Sequence, residues 1–146
     1  MLSFRLAQLI GLTNVAVHVW ALYQVVEGDL KPIVILCLVS LIVRGLKRSI
    51  QLPRPPGAQG CDALGIEGKS DSYGMPSGHV ATAVAGWFMI AQRYGLNPWL
   101  SAAVAAVAMS WARSRVGCHT LFQGLGGALV GAAVAVLIPT KMMRLV

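Results

Sequence analysis

The sequence is poor in charge. Of its 146 residues only 12% are Asp, Glu, Lys or Arg, about half the share found in soluble domains. Acidic residues are the scarcest, five against twelve Lys and Arg, and the net charge is +7. Together with 56% hydrophobic residues and a mean hydropathy of +0.68, this shortage excludes a disordered chain and disfavours an ordinary soluble globule. A basic chain can signal nucleic acid, but one this apolar points to an anionic head group at a membrane surface instead. No nucleic-acid partner is expected. Cysteine is sparse too. Cys37, Cys61 and Cys118 are odd in number and lack Cys-x-x-Cys spacing, so neither a disulfide framework nor a zinc site is expected. Cys118 reads as packing, because Gly124 stands where a nucleophilic cysteine of the Cys-x5-Arg pattern would have its arginine. Short-range alternation of apolar and polar residues is missing, which disfavours a β-barrel. The apolar run after Arg5 is too long for the h-region of a cleavable signal.

What is present is a series of uncharged stretches. Residues 6–26, 72–92, 94–112 and 116–140 carry no charge, and 32–43 is a shorter run between Lys31 and Arg44, whose long side chains can snorkel. The expectation is an all-α, multi-pass membrane helix bundle forming a single domain over residues 1–146. About five helices are predicted, near 5–26, 31–48, 78–94, 98–114 and 120–139. Gly28 and Pro32 mark the first turn. Gly95 and Asn97-Pro98 mark a helix end followed by a helix start. Gly127 and Gly131 form a GxxxG pair that permits close helix approach. Trp20, Trp99 and Trp111 lie near span ends, as an interfacial belt requires. His18, in mid-span, reads as a neutral packed side chain with Asn14 as its partner.

If all five helices cross, one face collects Arg5, Arg44, Lys47, Arg48, Arg54, Lys69, Arg113 and Arg115, and the other Lys31, Arg93, Lys141 and Arg144. Four of the first set are candidates for chemistry. Without them the count is even, so the positive-inside rule assigns no orientation. Three short patterns converge on the richer face: Lys47-x6-Arg54-Pro55, Pro76-Ser77-Gly78-His79 and Arg113-x5-His119-x3-Gln123. Their chemistry suits a phosphoryl group. Lys47, Arg54 and Arg113 neutralise its oxygens. Ser77, the Gly78 N–H and the helix start add donors and a favourable dipole. One histidine can attack phosphorus while the other protonates the leaving oxygen. All five acidic residues (Glu27, Asp29, Asp62, Glu67 and Asp71) fall in loops, so metal-free chemistry with no cofactor is expected.

These three patterns, in this order between apolar runs, resemble the signature motifs of the type 2 phosphatidic acid phosphatase superfamily. The likeness covers roughly residues 44–135. Gly74-Met75-Pro76-Ser77 with His119-Thr120-x-x-Gln123 looks most like the dolichyl or polyprenyl diphosphate phosphatase branch. The resemblance implies a membrane hydrolase with His119 as nucleophile, through a phosphohistidine, and His79 as general acid. It implies Lys47, Arg54, Ser77, Gly78 and Arg113 as phosphate ligands, with Arg115 as a second arginine contact. The expected substrate is an isoprenoid diphosphate drawn from the bilayer, hydrolysed to the monophosphate and inorganic phosphate. The alternatives are a phosphatidate or phosphatidylglycerol phosphate phosphatase, or a non-catalytic binder of anionic lipid. By the same resemblance the location is the endoplasmic reticulum, with a lumenal site. Two positions depart from the family pattern. Ala112 stands where a serine is usual, and Gln123 where an aspartate orients the nucleophile. A glutamine can still accept from the ring N–H.

Overall fold

A computed structural model describes residues 2–58, 61 and 73–138. Asp62, Glu67, Lys69, Asp71, Lys141 and Arg144 lie outside these described residues. Those described form five α-helices: α1 (Leu2–Val26), α2 (Lys31–Ile50), α3 (Gly78–Arg93), α4 (Pro98–Arg115) and α5 (Leu121–Leu137). Each stands within a few residues of its expected position, because the local signals are strong. The Asn97 side chain accepts from the N–H groups of Trp99 and Leu100, with Pro98 in the first turn of α4. Gly95 has φ +71° just after α3, a conformation that suits glycine. Thr120 and Gln123 form a reciprocal capping box at the start of α5. No strand occurs among the described residues. A single isolated bridge pairs Pro53 with Tyr73.

Helix α3 is the central element and packs against the other four. It is built largely of small and branched residues, and Val80, Ala81, Ala83, Val84, Ala85, Phe88, Met89 and Ala91 are buried. It packs as extensively on α4 as on α5, and the GxxxG pair makes the approach of α5 possible. A Cβ at Gly127 would collide with the Ser77 carbonyl, and one at Gly131 with the Ala81 carbonyl. Gly86 of α3 lies against Val17 of α1 in the same way, and Gly124 of α5 against Ser110 of α4.

The helices alternate in direction. Ser3, at the start of α1, accepts from Arg115 at the end of α4, at 2.9 Å. The end of α1, the start of α2 and the end of α3 surround a polar cavity lined by Gln24, Lys31 and Arg93. The end of α2, the starts of α3 and α5 and the end of α4 therefore share the other end of the bundle. By length and composition, Leu2–Val26 is the one described helix able to cross a membrane, while Leu121–Leu137 is apolar but shorter. This is fewer spans than the charge-free stretches suggest. Those stretches run on into turns, whereas α3 and α5 themselves have 16 and 17 residues, and α2 includes Lys31, Arg44, Lys47 and Arg48. His18 also differs from expectation. Its ring is exposed and bonds the Asn14 backbone carbonyl at 2.7 Å. The Asn14 amide instead donates to the His79 carbonyl, at 3.1 Å.

Candidate active site

The site forms where four helix ends meet. Lys47 lies in the last turn of α2 and is buried. The chain then leaves the helix at Gln51, whose φ of +52° and N–H bond to the Lys47 carbonyl close the turn. Residues 52–53 are held against 73–74 by the Pro53–Tyr73 bridge and by Gly74 N–H donating to the Leu52 carbonyl at 2.7 Å. This pairing brings Arg54 back toward the start of α3. Ser77 is the N-cap residue of α3, and Gly78 and His79 open its first turn. Ser77 is fully buried, and its Oγ has no hydrogen-bond partner among the described residues. It stands next to the unpaired N–H groups that begin a helix, where an anion is favoured.

Arg113 comes from the last turn of α4 and His119 from the turn that follows. The Arg113 carbonyl accepts from the N–H groups of Cys118 (3.0 Å) and His119 (3.3 Å), so the turn folds back onto the arginine's own backbone. The Arg113 guanidinium donates through Nη2 to the Cys61 carbonyl. His119 is buried, 3% exposed, with Nδ1 unpartnered among the described residues. Burial pushes its pKa down most, from the ordinary 6.5 to about 3, and the charges of Arg54, Arg113 and Lys47 push it the same way. The Gln123 side chain opposes them. His79 senses the charges of Arg113, Lys47 and Arg54 as well as His119. Three cations from three sequence-distant segments thus converge on two histidines. Arg115 is not among them, because it is exposed and bonds Ser3.

Gln123, expected to orient a histidine, holds three segments of the chain. It is 1% exposed. Its Nε2 donates to the Pro53 carbonyl at 2.8 Å, and its Oε1 accepts from Thr120 N–H at 3.1 Å. Its own carbonyl accepts from Ser77 N–H at 3.0 Å. One residue therefore ties the neighbours of Arg54, His79 and His119 together.

The cysteines overturn a second expectation. Cys61 and Cys118 form a disulfide with a Cα–Cα distance of 5.5 Å and a sequence separation of 57. It joins the residue before His119 to the residue whose carbonyl holds Arg113. Spacing could not reveal a pair so far apart. The available signal was placement: Cys61 and Cys118 lie between the predicted helices, whereas Cys37, the free one, lies within one. Among the described residues no three His, Cys, Asp or Glu side chains converge as a metal site would need.

A depressed histidine pKa has two consequences. The His119 ring is neutral, and so able to act as a nucleophile, at every pH well above 3. The unfolded chain also takes up a proton near 6.5 that the folded site refuses, so this group removes stability as pH falls from about 6.5 toward 3. In NMR spectra of ring-labelled protein, the His119 signals are expected to stay those of a neutral imidazole from about pH 5 to 8. Inorganic phosphate, by adding negative charge beside the cations, is expected to raise the pKa. A free-site titration centred near 6.5 would contradict the burial and charge seen here.

Comparison with curated proteins and with solved structures gives no significant match. Residues 29–145 match the family model of the PAP2 superfamily. That stretch contains all three patterns and four of the five helices, and the chain belongs to the PAP2 superfamily.

Proposed function

We propose that this protein is an integral membrane, metal-independent lipid phosphatase that converts polyprenyl or dolichyl diphosphate to the monophosphate and inorganic phosphate. Superfamily membership supports a phosphatase of lipid phosphates. The observation that carries the mechanism is the convergence of Lys47, Arg54 and Arg113 on His79 and His119.

In the first half-reaction a ring nitrogen of His119 attacks the terminal phosphorus. A P–N bond forms, the P–O bond to the leaving group breaks, and His79 delivers a proton to the departing oxygen. Lys47, Arg54 and Arg113 stabilise the charge on the equatorial oxygens, with Ser77 and the Gly78 N–H as donors. In the second half-reaction water attacks the phosphohistidine, His79 takes its proton, and phosphate leaves. Gln123 holds the segments that supply these groups.

A multi-pass arrangement is favoured by the outward faces of α1, α4 and α5. Leu9, Leu12, Val104, Val107, Leu125 and Leu129 are all more than half exposed, an inside-out pattern suited to lipid. The disulfide beside His119 favours a site on the oxidising side of its membrane, such as the endoplasmic reticulum lumen. The test is phosphate release by detergent-purified protein in EDTA, from a polyprenyl diphosphate and in parallel from phosphatidate. Release from the diphosphate at the higher kcat/KM is expected. Preference for phosphatidate would reassign the substrate, loss of activity in EDTA would refute the metal-free mechanism, and binding without release from either lipid would leave an anionic-lipid binder.

A further inference from the structure

An apolar groove of about 450 Å³ opens between α1, α3 and α4. Its walls are Ile10 and Thr13 from α1, Ala83 and Trp87 from α3, and residues of α4 from Leu100 to Met109. Its volume lies within the range of small-ligand sites. Only two hydroxyls line it. One, on Thr13, is already spent on the Ile10 carbonyl at 2.7 Å.

The groove is aligned with the phosphate site. Ala83 lies one helical turn beyond His79, and Met109 one turn before Arg113. At 1.5 Å per residue this puts the upper end about 6 Å below the charged cluster. Leu100, at the lower end, lies 13 residues before Arg113, or about 20 Å below it. Thr13 adjoins Asn14, whose amide holds the His79 carbonyl. The molecule thus presents a buried cationic head site with an apolar slot beneath it. The complementary ligand is an amphiphile with an anionic head and one extended hydrocarbon chain.

We infer that this groove holds one hydrocarbon chain of the lipid phosphate substrate, and that the α4 residues lining it set the chain length accepted. The inference rests on the phosphatase reading for its head group. Ala108 lies near the upper end and is half-buried, so an indole there closes the slot to every long chain. Ser101 lies near the lower end, so an indole there shortens the slot and leaves its upper part open.

The experiment compares Ala108→Trp and Ser101→Trp with the parent protein on p-nitrophenyl phosphate, octyl phosphate and hexadecyl phosphate. Ala108→Trp is expected to lower kcat/KM for hexadecyl phosphate at least tenfold and to leave p-nitrophenyl phosphate unchanged. Ser101→Trp is expected to penalise hexadecyl phosphate and spare octyl phosphate. Two variants that turn over hexadecyl phosphate like the parent would overturn the inference. If the parent hydrolyses none of the three, the phosphatase reading fails and binding decides the groove separately. If a variant loses p-nitrophenyl phosphate turnover, the same binding readout, without the added tryptophan, decides. A protein retaining Trp87 alone, with Trp20, Trp99 and Trp111 replaced by Phe, is mixed with a lysophosphatidate carrying a brominated chain. Quenching of Trp87 that hexadecyl phosphate reverses, and hexadecanol does not, supports the groove. Quenching indifferent to both, or absent, refutes it.

Discussion

Replacing His119 by alanine is expected to abolish phosphate release, lowering kcat by about 10⁴-fold or more, the scale of losing a covalent nucleophile. The same change is expected to leave thermal stability unaltered or slightly higher. His119 is a buried ring whose Nδ1 has no partner among the described residues, surrounded by positive charges that oppose its protonation. A buried polar atom without a partner costs about 1–3 kcal/mol, and alanine removes it. Opposed effects on activity and stability separate a catalytic role from a structural one. The measurements are single-turnover phosphate release and a detergent-phase melting curve on the same preparation. Activity within tenfold of the parent would reject His119 as the nucleophile. Normal inactivation accompanied by a large drop in melting temperature would make His119 a packing residue.

The second large effect concerns Gln123. Because the superfamily pattern has an aspartate here, a carboxylate at this position is the natural candidate for improved catalysis. The geometry predicts the reverse. In Gln123→Glu the side chain keeps its length and can still accept from Thr120 N–H, but it has no hydrogen to give the Pro53 carbonyl. That carbonyl then faces a carboxylate oxygen at a buried position, and losing such a bond costs about 1–3 kcal/mol. The segment carrying Arg54 loosens, and the new negative charge competes with substrate phosphate for the nearby cations. The expected result is a fall in kcat/KM of about ten- to a hundredfold, expressed mainly in KM, with a lowered melting temperature. If Gln123 served only to orient the His119 ring, the carboxylate would orient it at least as well and kcat would rise. A raised kcat at unchanged KM would therefore sink the clamp.

These two residues also show how far the sequence could be read. His119 was legible because its identity, its spacing from Arg113 and its place between two predicted helices are local properties of the chain. Gln123 was legible only as a departure from a pattern. Its capping-box partner Thr120 is local, but Pro53 lies 70 positions away and Ser77 is also remote in sequence, and no periodicity encodes either. The paired arginines illustrate the same limit. Arg113 and Arg115 are two residues apart on one helix, about 200° around its axis. Both were expected to contact phosphate, but packing sends Arg113 to Cys61 and Arg115 to Ser3.

Sequence alone determined the number and approximate bounds of the helices, the close approach at Gly127 and Gly131, and the candidate phosphoryl-binding residues. Each follows from short-range physics: uncharged runs that favour helix in an apolar medium, caps that satisfy terminal N–H groups, and side chains whose charge suits phosphate. Tertiary structure alone decided the Cys61–Cys118 disulfide, the attachment of Gln123 to Pro53 and Ser77, the turning away of Arg115 and the groove under the charged site. Each of these depends on which residues a three-dimensional packing brings together across tens of positions. A chain whose local signals are mainly apolar leaves such pairings unwritten, because lipid-facing and partner-facing apolar residues carry the same one-dimensional signature.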